Sequence, residues 1–258
     1  MSRRPRALIT GASSGLGRGY ARTLAAEGYD LVLVARQEAR LRELAEQLRA
    51  TQNILAEVAV ADLSTRDGID AVVEIIAEQR IDVLINNAGY GLRETLLSSD
   101  IAELNDQDQV LTGAVRELSL AAARRMRARG RGGIVNVSSL AAMTTMGQYA
   151  ASKASTLVFT EALAGELRDE PVTVTAVLPG FIRTEFHSRL GVERPGPGLI
   201  WLSADQVVRE SLRDARAGKI VSVPGWGYRV AALVAPAVPR PLMRWGSNGF
   251  SFARTREK

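Results

Sequence analysis

The chain's 258 residues are 46% hydrophobic and 24% charged, enough to bury a core without staples as one large domain or two small ones. It has no cysteine and one histidine, His187. Disulfides, thiolate nucleophiles and Cys- or His-rich metal sites are thereby excluded, and a Ser-His-Asp triad would have to use His187. The net charge is +5, and Lys153, Lys219 and Lys258 are the only lysines among 33 basic residues.

The N-terminus is basic and then apolar, but Gly11 ends the apolar part too early for a signal-peptide core. A cytoplasmic protein is expected. Ala7 to Thr10 reads as a buried strand, and Arg18 to Gly28 as a helix. Leu31 to Ala35 is the next apolar run. Ala39, Leu41, Leu44, Ala45 and Leu48 then recur at helical spacing. Ile54 to Val60 suits a strand, and Ile69, Val72, Val73, Ile75 and Ile76 suit a helix. Val83 to Ile85, Ile134 to Val137 and Val172 to Val177 are further strands, with helical stretches between them. Arg124, Arg125, Arg127, Arg129 and Arg131 crowd the end of one such stretch, just before Gly130 and Gly132. Cations there complement the helix dipole, and no aromatics are interleaved. The cluster is read as a solvated helix end, not a nucleic-acid surface. Ser203 can cap a helix to Ala217, and Ile220 to Val223 is a last strand. From residue 225 to 258 the chain reads as an irregular extension rich in Pro, Gly and Trp. Its longest apolar run, Val230 to Val238, is broken by Pro236 and falls short of the ~20 residues of a membrane-spanning helix. Strictly apolar strands alternating with helices imply a parallel sheet covered on both faces.

Gly11-Ala12-Ser13-Ser14-Gly15-Leu16-Gly17 follows the first strand and opens the first helix. Glycines there let backbone N–H groups approach a pyrophosphate at a helix N-terminus. The second strand ends Val34-Ala35-Arg36, with no carboxylate for a ribose 2′-hydroxyl. A guanidinium can instead pair with a 2′-phosphate, so Arg36 argues for NADP(H) over NAD(H). The ordinary alternative is a surface arginine in an Arg-rich chain. Asp62 follows the third strand, where its carboxylate could accept a bond from an adenine amino group or serve as a turn residue. Asn86-Asn87-Ala88-Gly89 ends the fourth strand, at the carboxyl edge where such sheets bind ligands.

Tyr149 and Lys153 lie four apart in a helical stretch and share a face. An ammonium beside a phenol lowers the phenol pKa from ~10 toward neutral, which makes Tyr149 a candidate acid or base for a carbonyl/alcohol pair. Lys153 is the only lysine before position 219, as though a compact ammonium were required. Ser138 and Ser139 end the strand before them, where a hydroxyl can hold a carbonyl oxygen.

Taken in order, Thr10-Gly11-x-x-x-Gly15-x-Gly17, Asp62-Leu63, Asn86-Asn87-Ala88-Gly89, Ser139, Tyr149-x-x-x-Lys153 and Pro179-Gly180 resemble the classical short-chain dehydrogenase/reductase family. The match runs from about Ala7 to Val223. The resemblance implies an α/β fold: one doubly wound Rossmann-type domain over 1–258, with a predominantly parallel sheet of about seven strands. It implies carbonyl/alcohol redox chemistry on a small substrate, with NADP(H) preferred and no metal. Tyr149 would be the acid/base, Lys153 would bind the nicotinamide ribose and tune Tyr149, and Ser139 would position the substrate oxygen. Gly11, Ser13, Ser14, Gly15, Leu16, Gly17, Arg36, Asp62, Leu63, Asn87, Ala88 and Gly89 would hold the rest of the cofactor. Pro179, Gly180, Ile182 and Thr184 would border the nicotinamide. A homodimer or homotetramer is the family habit.

Two departures stand out. Leu111 occupies the place where many members carry an Asn that holds a water linking the lysine to solvent. Proton delivery would then be slower or rerouted, with Thr112 as one candidate. The ten-residue interval from Ser139 to Tyr149 is also shorter than usual in the family, so the loop could widen the pocket or displace Ser139, with Ser138 as the fallback. These departures motivate a second reading, an NADP(H)-binding protein with weak or no redox activity. Residues 185–202 are expected to form the substrate lid, with Phe186, Leu199, Ile200 and Trp201 as apolar contacts. His187 lies within it, read as a surface or substrate-contact residue. The extension from Trp226 to Trp245 has three readings, in order: packing onto the core, an oligomer contact, or membrane-surface association.

Overall fold

A computed structural model describes residues 4–92, 95–183 and 200–249. Seven parallel strands form one sheet in the order β3-β2-β1-β4-β5-β6-β7. They are β1 (Arg6–Thr10), β2 (Asp30–Ala35), β3 (Ala56–Val60), β4 (Val83–Asn86), β5 (Gly132–Val137), β6 (Val172–Val177) and β7 (Val221–Ser222). The helices are α1 (Gly15–Ala26), α2 (Glu38–Gln52), α3 (Arg66–Glu78), α4 (Ile101–Asp108), α5 (Ala114–Arg129), α6 (Gly147–Glu166), α7 (Ala204–Arg216), α8 (Trp226–Val234) and α9 (Arg240–Gly249). This is the Rossmann-type doubly wound arrangement expected from the motifs.

Strand alternation explains the two layers. Ala7, Ile9, Leu31 and Leu33 face one core with Tyr20 and Leu24 of α1, Leu41 and Leu44 of α2, and Val207 and Leu212 of α7. Leu8, Val32, Val34, Leu84 and Ile134 face the other, with Ile69 and Val72 of α3, Leu118 and Met126 of α5, and Leu163 of α6. Both faces are dry, so the strands carry continuous apolar runs. Tyr20 Oη bonds Ser211 Oγ at 2.7 Å within the first core, and burial raises this phenol's pKa despite that bond. In the second core a polar ladder crosses the sheet. Asn86 Nδ2 donates to Asn136 Oδ1 (2.9 Å) and Ser119 Oγ (3.0 Å), and Asn136 Nδ2 donates to Thr160 Oγ1 (3.0 Å).

Element ends differ from the sequence expectation by a few residues, with identifiable causes. α1 begins at Gly15, earlier than the apolar spacing indicates, because its first turn is built from the glycine loop. β3 begins at Ala56 because Asn53 turns left-handed (φ 49°) and the Leu55 N–H goes to Asp30 Oδ1. The larger correction concerns the C-terminal extension. Residues 226–249, expected to be irregular, fold into α8 and α9 joined by a short 3₁₀ turn at Ala235–Ala237. The prolines sit in the turn and the first turn of α9, positions a helix tolerates. The arginine cluster does end a helix. Gly130 caps α5 in the left-handed region (φ 73°), Arg127 pairs with Glu170 at 2.8 Å, and Arg131 lies 3.7 Å from Asp82. Among the described residues no helix is long and apolar enough to cross a membrane.

The polar ladder generates the first prediction. Asn136→Ala removes one of the two acceptors of Asn86 Nδ2 and the donor to Thr160 Oγ1, all buried, so it should cost about 3 kcal/mol. A fall in melting temperature of roughly 5–10 °C by calorimetry would match that cost. An unchanged melting temperature would mean that water replaces the amide.

Candidate active site

Strand order reverses between β1 and β4, and the loops leaving the carboxyl ends of these strands open a crevice there. One cavity of about 920 Å³ occupies it. It runs from the glycine loop past Arg36 and Asp62 to Ser139, Tyr149 and Lys153, and on to Pro179–Ile182.

At the first end, Gly11 (φ 64°) and Gly15 (φ 53°) adopt left-handed conformations. A Cβ on Gly17 would lie 2.2 Å from the Gly11 carbonyl oxygen, so α1 can approach the loop this closely only with glycine there. Ser14 precedes α1 but makes no side-chain cap. The first-turn N–H groups are thus left for an anion. The loop is held from below. Thr10 Oγ1 accepts from the Asn87 and Ala88 N–H groups (both 3.0 Å), and Asn87 Nδ2 donates to the Thr10 (3.0 Å) and Gly11 (3.3 Å) carbonyls. The Asn87 side chain is therefore spent on the scaffold. These features fit a dinucleotide: a cradle that a Cβ would fill, and free helix N–H groups above it.

Arg36 extends from the end of β2 with its side chain 64% exposed. Its guanidinium lies 3.6 Å from Asp62 and 5.9 Å from the centroid of the Tyr90 ring. Asp62 also accepts from the Ser64 N–H (3.0 Å) and Oγ (2.9 Å). Burial pushes its pKa up, but these bonds and Arg36 outweigh burial and hold it below the ordinary carboxylate value. Leu63, Ala88 and Gly89 line the same wall. A Cβ on Gly89 would meet Leu111 Cδ2 at 2.8 Å and lie 3.7 Å from Lys153 Nζ.

At the other end α6 presents Tyr149 and Lys153 to the tip of β5. Lys153 is 3% exposed, and its Nζ donates to the Val137 carbonyl at 2.6 Å. Ser138 Oγ donates to the Lys153 carbonyl at 2.7 Å. Both serines border the cavity, but Ser138 is thereby buried and committed, and it is Ser139 that hydrogen-bonds the Tyr149 phenol. The short interval does not displace Ser139. A 3₁₀ turn over Leu140–Met143, capped by Ser139 Oγ on the Ala141 N–H (3.1 Å), takes up the slack before Gly147 (φ 67°) starts α6.

The electrostatics correct the expectation for Tyr149. The Lys153 ammonium sits 5.8 Å from the ring centroid and spends its hydrogen bond on Val137. Burial then dominates. It pushes the Tyr149 phenol up to about 12, against the opposing Ser139 bond, and brings Lys153 down to about 8. In this geometry burial, rather than the neighbouring ammonium, sets the direction of the Tyr149 shift.

Leu111 is fully buried in a π-helical turn (Gln109–Gly113) between α4 and α5, and its carbonyl accepts from Thr156 Oγ1 at 2.7 Å. Thr112, the candidate alternative proton route, donates to Asp108 Oδ1 at 3.1 Å, beside Ser152 at 2.6 Å. Its proton is directed to that carboxylate rather than to Lys153.

Thr184, His187 and residues 185–199 of the expected lid lie outside the described residues. The two sides of that segment are described. Ile182 bridges Leu202, Phe181 stacks at 5.2 Å on Trp201, and Arg183 N–H donates to the Leu202 carbonyl (3.0 Å). Tyr228 of α8 ties them together. Its Oη accepts from the Phe181 N–H (3.0 Å) and donates to the Ile200 carbonyl (2.6 Å). Its ring occupies the space a Cβ on Gly180 would need, 2.1 Å from Cζ. Val238, Leu242 and Met243 complete the cavity wall. Sequence reasoning missed these four residues because no motif or period connects them to Gly180.

The Gly180 and Tyr228 contact is testable. Gly180→Ala should lower unfolding stability by more than about 1 kcal/mol, and adding Tyr228→Ala should recover part of that loss. A favourable coupling in the range of about 0.5–3 kcal/mol in denaturant titrations is expected for residues in contact. Strict additivity would show that the ring does not fill this space.

Residues 5–194 match the short chain dehydrogenase family. The chain is 36% identical over 245 residues to the short-chain reductase protein NovJ of Streptomyces niveus, covering 91% of this chain and 87% of that protein. It superimposes on a short-chain dehydrogenase from Sphingobium yanoikuyae in complex with NADPH with a TM-score of 0.83, at 32% identity and 98% coverage of both chains. The bulky-bulky ketone specific alcohol dehydrogenase from Comamonas testosteroni gives 0.81 at 28% identity, covering 100% of this chain and 98% of that one. With the cradle, the Tyr-x-x-x-Lys helix and these matches in agreement, the chain belongs to the short-chain dehydrogenase family of oxidoreductases that use a nicotinamide nucleotide.

Proposed function

We propose that this protein is an NADPH-dependent reductase of a fairly apolar ketone or aldehyde, with Tyr149 as its acid. The observation that carries the reading is the hydrogen-bonded Ser139 and Tyr149 pair in one cavity with Lys153, the glycine cradle and Arg36. A bound nicotinamide would supply a hydride for the carbonyl carbon. Tyr149 Oη gives its proton to the carbonyl oxygen, and the Ser139 hydroxyl donates a bond to the same oxygen. Lys153, anchored on the Val137 carbonyl, would hold the ribose and stabilise the phenolate left after proton transfer. Pro179, Gly180 and Ile182, which line the cavity, would border the nicotinamide ring.

The cofactor preference rests on Arg36. The exposed Arg36 and Asp62 pair is weak, so a 2′-phosphate can take the guanidinium at little cost. β2 ends without the carboxylate that would repel that phosphate. Apolar substrate preference follows from the wall: Val110, Leu140, Met146, Phe181, Leu242 and Met243 line the cavity.

NADPH consumption over a panel of aldehydes, ketones and diketones should show turnover, stronger than with NADH. In Tyr149→Phe it should fall by at least about a hundredfold, the usual worth of a positioned acid, with NADPH binding retained. Undiminished turnover in that variant would overturn the mechanism. A second expectation concerns pH. Reduction needs Lys153 charged and Tyr149 protonated. With Lys153 brought down to about 8 and Tyr149 raised to about 12, reduction should be flat below pH ~7 and decline as pH rises through ~8, the lysine losing its charge first. A rate that keeps rising through pH 9 would contradict the assignment.

A further inference from the structure

We propose that α8 and α9 form a docking element for the surface of an anionic lipid bilayer. This inference is independent of the proposed reaction.

The charge distribution is the first observation. Residues 226–258 contain Arg229, Arg240, Arg244, Arg254, Arg256 and Lys258 against one acid, Glu257. The whole net charge of +5 therefore resides in this segment, and residues 1–225 are neutral in sum. Arg229 is occupied by Glu210 (2.5 Å) and the Val223 carbonyl (3.0 Å), which anchors the start of α8. Arg240 and Arg244 are exposed.

The second observation is an uncovered apolar stripe. Trp226, Val230, Leu233 and Val234 recur at helical spacing along one side of α8 and are 82%, 55%, 81% and 52% exposed. Tyr228 projects from the opposite side of the same helix into the cavity wall. The helix is thus held by its inner side and presents its outer side to solvent. Leu242 of α9 adds a further exposed apolar residue at 59%. A Trp and Leu stripe on α8 followed in sequence by the exposed Arg240 and Arg244 of α9, in a segment with no acid before Glu257, has the composition of an element that lies in a membrane interface. An anionic headgroup layer matches the cations, and shallow acyl chains match the stripe. Val238, Leu242 and Met243 also line the cavity, so an apolar compound dissolved in that bilayer would lie beside the wall of the site.

The test is sedimentation of the full chain with vesicles of phosphatidylcholine alone and of phosphatidylcholine with phosphatidylserine. Binding to the anionic vesicles only, weakened by salt, is expected. Arg240→Gln and Arg244→Gln should each weaken partitioning about fivefold, the factor that ~1 kcal/mol per surface cation represents. Leu233→Ser should abolish it, with the melting temperature unchanged because the residue touches no core. No binding to the anionic vesicles, or equal binding to both, would overturn the proposal. If Leu233→Ser instead splits an oligomer seen by light scattering while vesicles never bind, the stripe belongs to a second copy of the chain. No arm of this experiment reads turnover, so its failure leaves the reductase reading to its own assay.

Discussion

A reciprocal clamp between β5 and α6 holds the chemistry in place. Lys153 Nζ donates to the carbonyl of Val137, and one residue later Ser138 Oγ donates to the carbonyl of Lys153. Both bonds are buried, where a lost partner is costly. Together they fix α6 against the strand end. That placement sets Tyr149 one turn before Lys153 within reach of Ser139. The ammonium is thereby kept in a site that disfavours its charge, and the phenol is kept protonated.

The cofactor end is built on the same logic with different groups. Thr10 and Asn87 cross-brace the ends of β1 and β4, and the glycines let α1 come down on that brace. No charged side chain is required until Arg36. In the proposed reading the backbone and the helix terminus would bind the pyrophosphate, and Arg36 would select among anions. On that reading the glycine loop would serve either nicotinamide nucleotide, and the end of β2 would carry the distinction.

The C-terminal extension closes the molecule over the site. Tyr228 spans Phe181 and Ile200, and its ring fills the space beside Gly180. Gly180 is thus required for a second reason besides any cofactor contact. α8 has two unlike sides, one buried in the site and one apolar and bare. A helix held by only one side is stable as a platform, and its outer side is free to meet a partner.

The sequence by itself determined the layers of this fold. Apolar runs marked the strands, and their alternation with helical patterns dictated a parallel sheet. The strand-end positions of Gly11, Arg36, Asn87 and Ser139, with Tyr149 in the first turn of the following helix, then placed one crevice, because strand register and helix period are local properties. Tertiary structure alone decided which of the two adjacent serines is committed to the Lys153 carbonyl and which bonds the Tyr149 phenol. It decided that burial overrides the ammonium in setting the Tyr149 proton. It turned Thr112 toward Asp108, and it folded residues 226–249 into helices that wall the site. Each of these depends on groups distant in the chain, and on the loss of water around them. Desolvation and long-range packing leave no periodic trace in a sequence.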